Sequence, residues 1–121
     1  GFAGDYTEGM WMMLQHNQPD DWVLATGETH TVKEFAEKTF EKLDLNWEEY
    51  VEVSEKYFRP NEVDYLLGDP TKASKELSWK PKTSFDELID MMIESDLILG
   101  KREQVLLKEG LIEPTWENPI S

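Results

Sequence analysis

The sequence predicts an α/β chain, α+β when taken by itself: mostly helical, with a few short strands. Three observations predict it. Residues 22–43 read as a strand–loop–helix unit, in which a short apolar run, a glycine and a capped amphipathic stretch follow one another. Two capping boxes, Thr31 with Glu34 and Ser84 with Glu87, mark helix starts. The composition, 39% hydrophobic and 31% charged with five Trp, five Phe and four Tyr, is that of a folded globular chain and not of a disordered one.

The elements follow in order. A first helix is expected from about residue 5 to 16, with Tyr6, Met10, Met13 and Leu14 at helical spacing and Asp5 as its cap. The run Met10-Trp11-Met12-Met13-Leu14 makes both faces of this helix apolar, so it is expected to dock between this domain and a further one. His16 ends it, where its charge suits the helix dipole. Trp22-Val23-Leu24-Ala25-Thr26 reads as a buried strand closed by Gly27. The next helix starts at the Thr31 cap and carries Val32, Phe35, Ala36, Thr39, Phe40 and Leu43 on one face. A helical turn is expected over residues 46–50, then short strands over 51–53 and 63–66. Asp69-Pro70 starts a helix ending near Leu77, because Asp caps and Pro at the first position loses no needed donor. Trp79-Lys80-Pro81 closes it. A long helix follows the Ser84 cap, with Phe85, Leu88, Ile89, Met92, Ile93 and Leu97 as its stripe, weakened at Gly100 and ended by Lys101 and Arg102. Residues 1–109 form the folded portion, and 110–121 a loop or disordered tail.

Charge and composition exclude several classes of function. A formal net charge of -14 repels nucleic acid and anionic lipid, so neither is an expected partner. The absence of Cys removes disulfide and thiol chemistry. With His16 and His30 as the only histidines and no His-x-x-x-His spacing, no metal site is expected. No apolar run reaches transmembrane length, and the start shows no signal-peptide pattern. The acid pairs Asp20-Asp21, Glu48-Glu49 and Asp86-Glu87 read as solvated faces or caps. There is no Tyr-x-x-x-Lys pair, Gly-x-Gly-x-x-Gly, Gly-x-Ser-x-Gly or P-loop, so no complete catalytic apparatus is present, and no catalytic residue is assigned. His30, in the Gly27 loop, is either a plain polar loop residue or a ligand contact.

The chemistry concentrates in Tyr57-Phe58-Arg59-Pro60-Asn61-Glu62-Val63-Asp64. Arg59 and Glu62 stand three apart in an aromatic turn, and Pro60 pushes Arg59 towards extended backbone. A guanidinium is a planar fork that donates two parallel hydrogen bonds to a phosphate, and a carboxylate accepts from a sugar hydroxyl. A nucleotide-sugar diphosphate carries both groups. Taken alone, such a pair is more often a surface ion pair.

Four runs, in order, change that ranking. Gly1-Phe2-Ala3-Gly4-Asp5-Tyr6 resembles the segment after the nucleotide-sugar contact loop of GDP-mannose 4,6-dehydratases. Residues 25–35, Ala-Thr-Gly-Glu-Thr-His-Thr-Val-Lys-Glu-Phe, resemble that family's later strand–loop–helix, and residues 57–64 its substrate-binding turn. Leu67-Gly68-Asp69-Pro70-Thr71-Lys72-Ala73, then Trp79-Lys80-Pro81, resemble its closing region. Together they cover most of residues 1–103; the loop before Val51 and the tail after Glu103 depart from the pattern.

The resemblance implies an extended short-chain dehydrogenase/reductase. In that family an N-terminal Rossmann domain binds NADP and a smaller C-terminal domain binds GDP-mannose. The sugar is oxidised at C4, water is eliminated across C5 and C6, and hydride returns at C6, giving GDP-4-keto-6-deoxymannose, a precursor of GDP-fucose. The cofactor loop and catalytic pair lie in the family's N-terminal half and have no counterpart in these residues. By motif match Arg59 binds the diphosphate or nucleotide side of the substrate, and Glu62 a hydroxyl of the nucleotide sugar. A homo-oligomeric, cytoplasmic enzyme is implied for the whole. The start at Gly1, without Met, is read as that of a piece of a longer protein, inactive alone. Two other readings stay open: a non-catalytic acidic module that binds a nucleotide sugar or a protein, and a dehydratase or epimerase acting on another nucleotide sugar.

Overall fold

The computed structural model describes residues 1–57 and 65–113. Among the described residues four α-helices carry the fold: α1 Ala3–Gln15, α2 Val32–Glu41, α3 Thr71–Leu77 and α4 Phe85–Lys108. Two single 3-10 turns, Trp47–Glu49 and Glu55–Tyr57, lie between α2 and α3. The chain divides into two compact units, Gly1–Ile89 and Asp90–Ser121.

The first unit is built around Trp79, which is 1% exposed, with Ala73 and Ile89 the other fully buried apolar side chains among the described residues. The Trp79 indole N–H donates to the Asp5 backbone carbonyl at 2.8 Å, and its ring stacks on Tyr6 with centroids 6.1 Å apart. Gly9 lets α1 close on this ring: a Cβ there would lie 2.6 Å from Leu24 Cδ1 and 2.9 Å from the indole nitrogen. Asp5 does not cap α1 as expected. Phe2 holds the N-cap position without a side-chain bond, and the Asp5 carboxylate, 6% exposed, accepts the backbone N–H groups of Lys82 and Thr83, both at 3.0 Å. The carboxylate is turned away from its own helix because two loop donors would otherwise be left unpaired.

Helix starts follow the capping chemistry. Thr31 Oγ1 accepts the Glu34 N–H at 3.0 Å, but Glu34 gives its carboxylate to His30 Nδ1, at 3.0 Å, so this box is half formed. The Ser84–Glu87 box is reciprocal: Ser84 N–H donates to Glu87 at 2.8 Å and Glu87 N–H to Ser84 Oγ at 3.2 Å. Helix α3 begins one residue after Pro70, with Asp69 Oδ1 accepting the Thr71 N–H at 2.9 Å and the Thr71 hydroxyl. It ends at Leu77, where Ser78 is left-handed at φ 57°. Phe35, Ala36, Thr39, Phe40 and Leu43 are half-buried as the periodicity predicts, whereas Val32, at the open first turn of α2, is exposed. Lys38 reaches Asp86 at 2.9 Å, and Lys72 pairs with Asp20 at 2.9 Å while Trp22 Nε1 donates to Glu76 at 2.8 Å.

The short strands expected from the sequence do not form. Residues 22–26, 51–53 and 65–66 have no regular secondary structure, and residues 63–64 lie outside the described part. The reason is the absence of a ladder. No backbone N–H or C=O of residues 22–26 bonds to another backbone group among the described residues, and a strand exists only as one side of a pair. Val53, Tyr65 and Leu66 are exposed, so no buried sheet face awaits them there. The run 22–26 is packed through its side chains alone: Leu24 lies against Gly9, and Ala25 against Gly68.

The second unit is the later part of α4 and the residues after it. Gly100 does not end the helix, which continues to Lys108. It stops in a Schellman motif: Leu111 N–H donates to the Leu106 carbonyl at 2.9 Å and Gly110 N–H to that of Leu107 at 3.1 Å, with Gly110 left-handed at φ 66°. No helix among the described residues is long and apolar enough to cross a membrane.

Candidate functional site

A cleft of about 470 Å³ opens in the first unit, in the size range of small-molecule sites. Thr26, Glu28, Thr29 and His30 of the Gly27 loop line one side. Residues 81–85, with Glu87 and Leu88, line the other. The loop can turn there because Gly27 is left-handed at φ 76°, and Thr26 Oγ1 accepts the Glu28 N–H at 3.3 Å across it. The opposite wall is held by Asp5 through the N–H groups of Lys82 and Thr83, so the buried carboxylate sets the shape of the cleft without entering it.

His30 is the best-positioned side chain of the lining. Its ring lies flat on Phe85, centroids 3.8 Å apart and planes within 4°. Nδ1 meets Glu34 at 3.0 Å and Nε2 meets Glu28 at 3.3 Å. The bond to Glu34, helped by that to Glu28, raises the imidazole above its ordinary pKa of 6.5, against a smaller opposing effect of burial. A protonated ring on an aromatic face between two carboxylates is held by cation–π attraction as well as by charge.

The lining accepts hydrogen bonds far more than it attracts anions. Glu28 and Glu87 are acidic, Thr26, Thr29, Thr83 and Ser84 bring hydroxyls, and the ammonium of Lys82 is already bound to Glu8 at 2.6 Å. Such a wall recognises hydroxyl groups, as on a sugar. No group of three or more potential metal ligands occurs among the described residues.

Arg59 and Glu62, the two site residues named from the sequence, lie outside the described residues. Of the other singled-out residues, His30 enters the cleft, and His16 is the C-cap of α1, with Nδ1 2.8 Å from the Gln18 carbonyl. Sequence reasoning did not name Glu28 or Phe85 as site residues. The spacing of Glu28, His30 and Glu34, two and then four residues, was a usable sign of the first; Phe85 is 55 positions from His30 and left none.

Comparison with known proteins adds the following. The family model described as GDP-mannose 4,6 dehydratase matches residues 1–92. GDP-mannose 4,6 dehydratase 1 of Arabidopsis thaliana is 54% identical over 113 residues, 93% of this chain and 31% of the relative. The GDP-mannose 4,6 dehydratase of Dictyostelium discoideum is 49% identical over 114 residues, covering 80% of this chain and 32% of its own. The human GDP-mannose 4,6 dehydratase is 45% identical over 116 residues, covering 82% and 31%. The chain therefore spans about a third of the length of these relatives.

Proposed function

The chain belongs to the GDP-mannose 4,6 dehydratase family, and from that premise we propose that it is the C-terminal, nucleotide-sugar-binding portion of such an enzyme. The observation that carries the reading is the family match over residues 1–92, which takes in the turn bearing Arg59 and Glu62. The names of the relatives supply the substrate, GDP-mannose, and the reaction class, a 4,6-dehydration; the 4-keto-6-deoxy product is what the family resemblance implies. In this reading Arg59 grips the diphosphate and Glu62 accepts from a hydroxyl of the nucleotide sugar. The whole enzyme is a lyase of the extended short-chain dehydrogenase/reductase type, homo-oligomeric and cytoplasmic.

NADP does not fit the residues at hand. The sequence has neither a Gly-x-Gly-x-x-Gly loop nor a Tyr-x-x-x-Lys pair. Cofactor and catalytic groups are accordingly assigned to a Rossmann domain supplied from elsewhere, and this chain alone is expected to bind without turning over.

Calorimetric titration of the chain with GDP-mannose, GDP and a UDP-sugar tests the reading. GDP-mannose should bind most tightly. Arg59→Ala should weaken it about ten- to a hundredfold, since a hydrogen bond to a charged group contributes about 1.5–3 kcal/mol. Arg59→Lys should recover only part, because an ammonium is a point charge and not a fork. Equal affinity in the Ala variant would leave Arg59 a surface ion-pair residue. No binding by a chain shown to be folded would remove the substrate role from this portion.

A further inference from the structure

His30 is bonded in a way that only one protonation state satisfies. Nδ1 faces Glu34 Oε1 at 3.0 Å, and Nε2 faces Glu28 Oε2 at 3.3 Å. Both partners are carboxylate oxygens, which accept and do not donate when ionised, whereas a neutral imidazole carries a single N–H. The imidazolium fills both contacts. The neutral ring sets a bare nitrogen lone pair against one of the two carboxylates, and that contact has to open.

The two contacts are unequal, which decides the one that opens. Glu34 stands in the first turn of α2, with its N–H held by Thr31 Oγ1 at 3.0 Å and its side chain 37% exposed. Glu28 stands on the loop beside Gly27, its contact is the longer one, and its side chain is 64% exposed. The neutral ring therefore keeps Nδ1–H on Glu34 and releases Glu28. The ring itself is kept in place by its flat stack on Phe85, centroids 3.8 Å apart, which does not depend on charge alone. What moves is the Glu28 carboxylate, and Glu28 lines the cleft.

The other charges around the ring are engaged among themselves. On α2, Lys38 lies 5.6 Å from the Phe85 centroid and pairs with Asp86 of α4 at 2.9 Å. Glu87 of α4 accepts the Ser84 N–H and hydroxyl, both at 2.8 Å, and Lys82 is bound to Glu8. Loss of the ring proton is thus felt first by its own two carboxylates.

We propose that His30 and Glu28 form a proton-operated latch on the cleft: the doubly protonated ring clasps Glu28, and the neutral ring frees it to accept from a hydroxyl or ammonium group of a ligand bound there. The change falls near neutral pH, because histidine titrates in that region and the two carboxylates hold its proton above the ordinary 6.5. By linkage, a ligand that engages Glu28 must in turn loosen the proton on His30.

Nuclear magnetic resonance titration of the 121-residue chain from about pH 5.5 to 9 tests this. His16→Gln leaves His30 as the only imidazole, and His30→Gln, with its folding checked by circular dichroism, is the control. Both ring nitrogens should carry protons at low pH and Nδ1 alone at high pH, with a midpoint above 6.5. The Glu28 side-chain carboxyl carbon should shift with the same midpoint, and its curve should be flat in His30→Gln. Glu34→Gln should lower the midpoint more than Glu28→Gln does. A midpoint at or below 6.5, a neutral ring protonated at Nε2, or a Glu28 signal that does not follow the ring would each overturn the latch. Should His30→Gln fail to fold, the chain retaining His30 still decides, because its Glu28 midpoint either coincides with that of the ring or does not.

Discussion

Replacing Asp5 with Ala should destabilise the first unit more than any substitution at a comparably polar position. Its carboxylate, 6% exposed, accepts the Lys82 and Thr83 N–H groups at 3.0 Å each. Hydrogen bonds to a charged group contribute about 1.5–3 kcal/mol. Both donors are part-buried, so the lower end applies to each, and the two together come to about 3 kcal/mol. With a urea slope of about 1.5 kcal/mol per molar, the unfolding midpoint should fall by about 2 M. The assay is urea unfolding followed by tryptophan fluorescence, which reports directly because Trp79 donates to the Asp5 carbonyl at 2.8 Å. Asp5→Asn is the control. It removes the same charge but keeps an oxygen where Oδ2 accepts both N–H groups, so both bonds persist as weaker neutral ones and it should lose about half as much. A loss under about 1 kcal/mol for Ala, or equal losses for Ala and Asn, would refute the role given to these two bonds.

Three further outcomes are expected. Gly9→Ala should lower the thermal midpoint, costing about 1–2 kcal/mol, because its Cβ would lie 2.6 Å from Leu24 Cδ1 and 2.9 Å from the Trp79 indole nitrogen, outweighing the gain in helix propensity; a raised midpoint contradicts the close approach. Ser84→Ala should cost about 1 kcal/mol through loss of the α4 box, seen as earlier helix melting by circular dichroism. His30 should make stability fall with rising pH. Its folded pKa is raised, by Glu34 first, so its contribution is fully present below about 6.5 and is lost as pH climbs through the folded value. Melting curves across that window should flatten in Glu34→Gln, and an unchanged slope would mean that the ring takes no part.

What the sequence disclosed and what it hid divide by range. Capping residues act over three or four positions, so the starts of α2, α3 and α4 could be read directly from Thr31, Asp69-Pro70 and Ser84. Asp5 carried the same cap signature and was read the same way, yet its partners lie 77 and 78 positions away, and a distant part-buried pair of donors outranked the local one. Trp79 looked like a helix terminator and is the centre of the core, because its burial depends on Tyr6 and Gly9. In the cleft, His30 was readable as a loop residue able to meet a ligand. The Phe85 surface beneath it required the loop and the start of α4 to be brought together, which no local pattern encodes.

The failure at residues 22–26 is the most instructive. Composition alone, Trp-Val-Leu-Ala-Thr before Gly, suits a buried strand, and the side chains do pack: Leu24 on Gly9, Ala25 on Gly68. What is missing is backbone pairing, for none of these residues bonds to another backbone group among the described residues. Val23 is exposed and Trp22, Leu24, Ala25 and Thr26 are only half-buried, so the backbone of this run does not have to be paired within the protein. Helix α1 is likewise only partly covered. One face is closed by Gly9 against Trp79, while Met10 and Trp11 are 60% exposed and Leu14 is 82% exposed. An apolar helix face and an unladdered apolar run, both in the first unit, therefore leave apolar surface uncovered among the described residues.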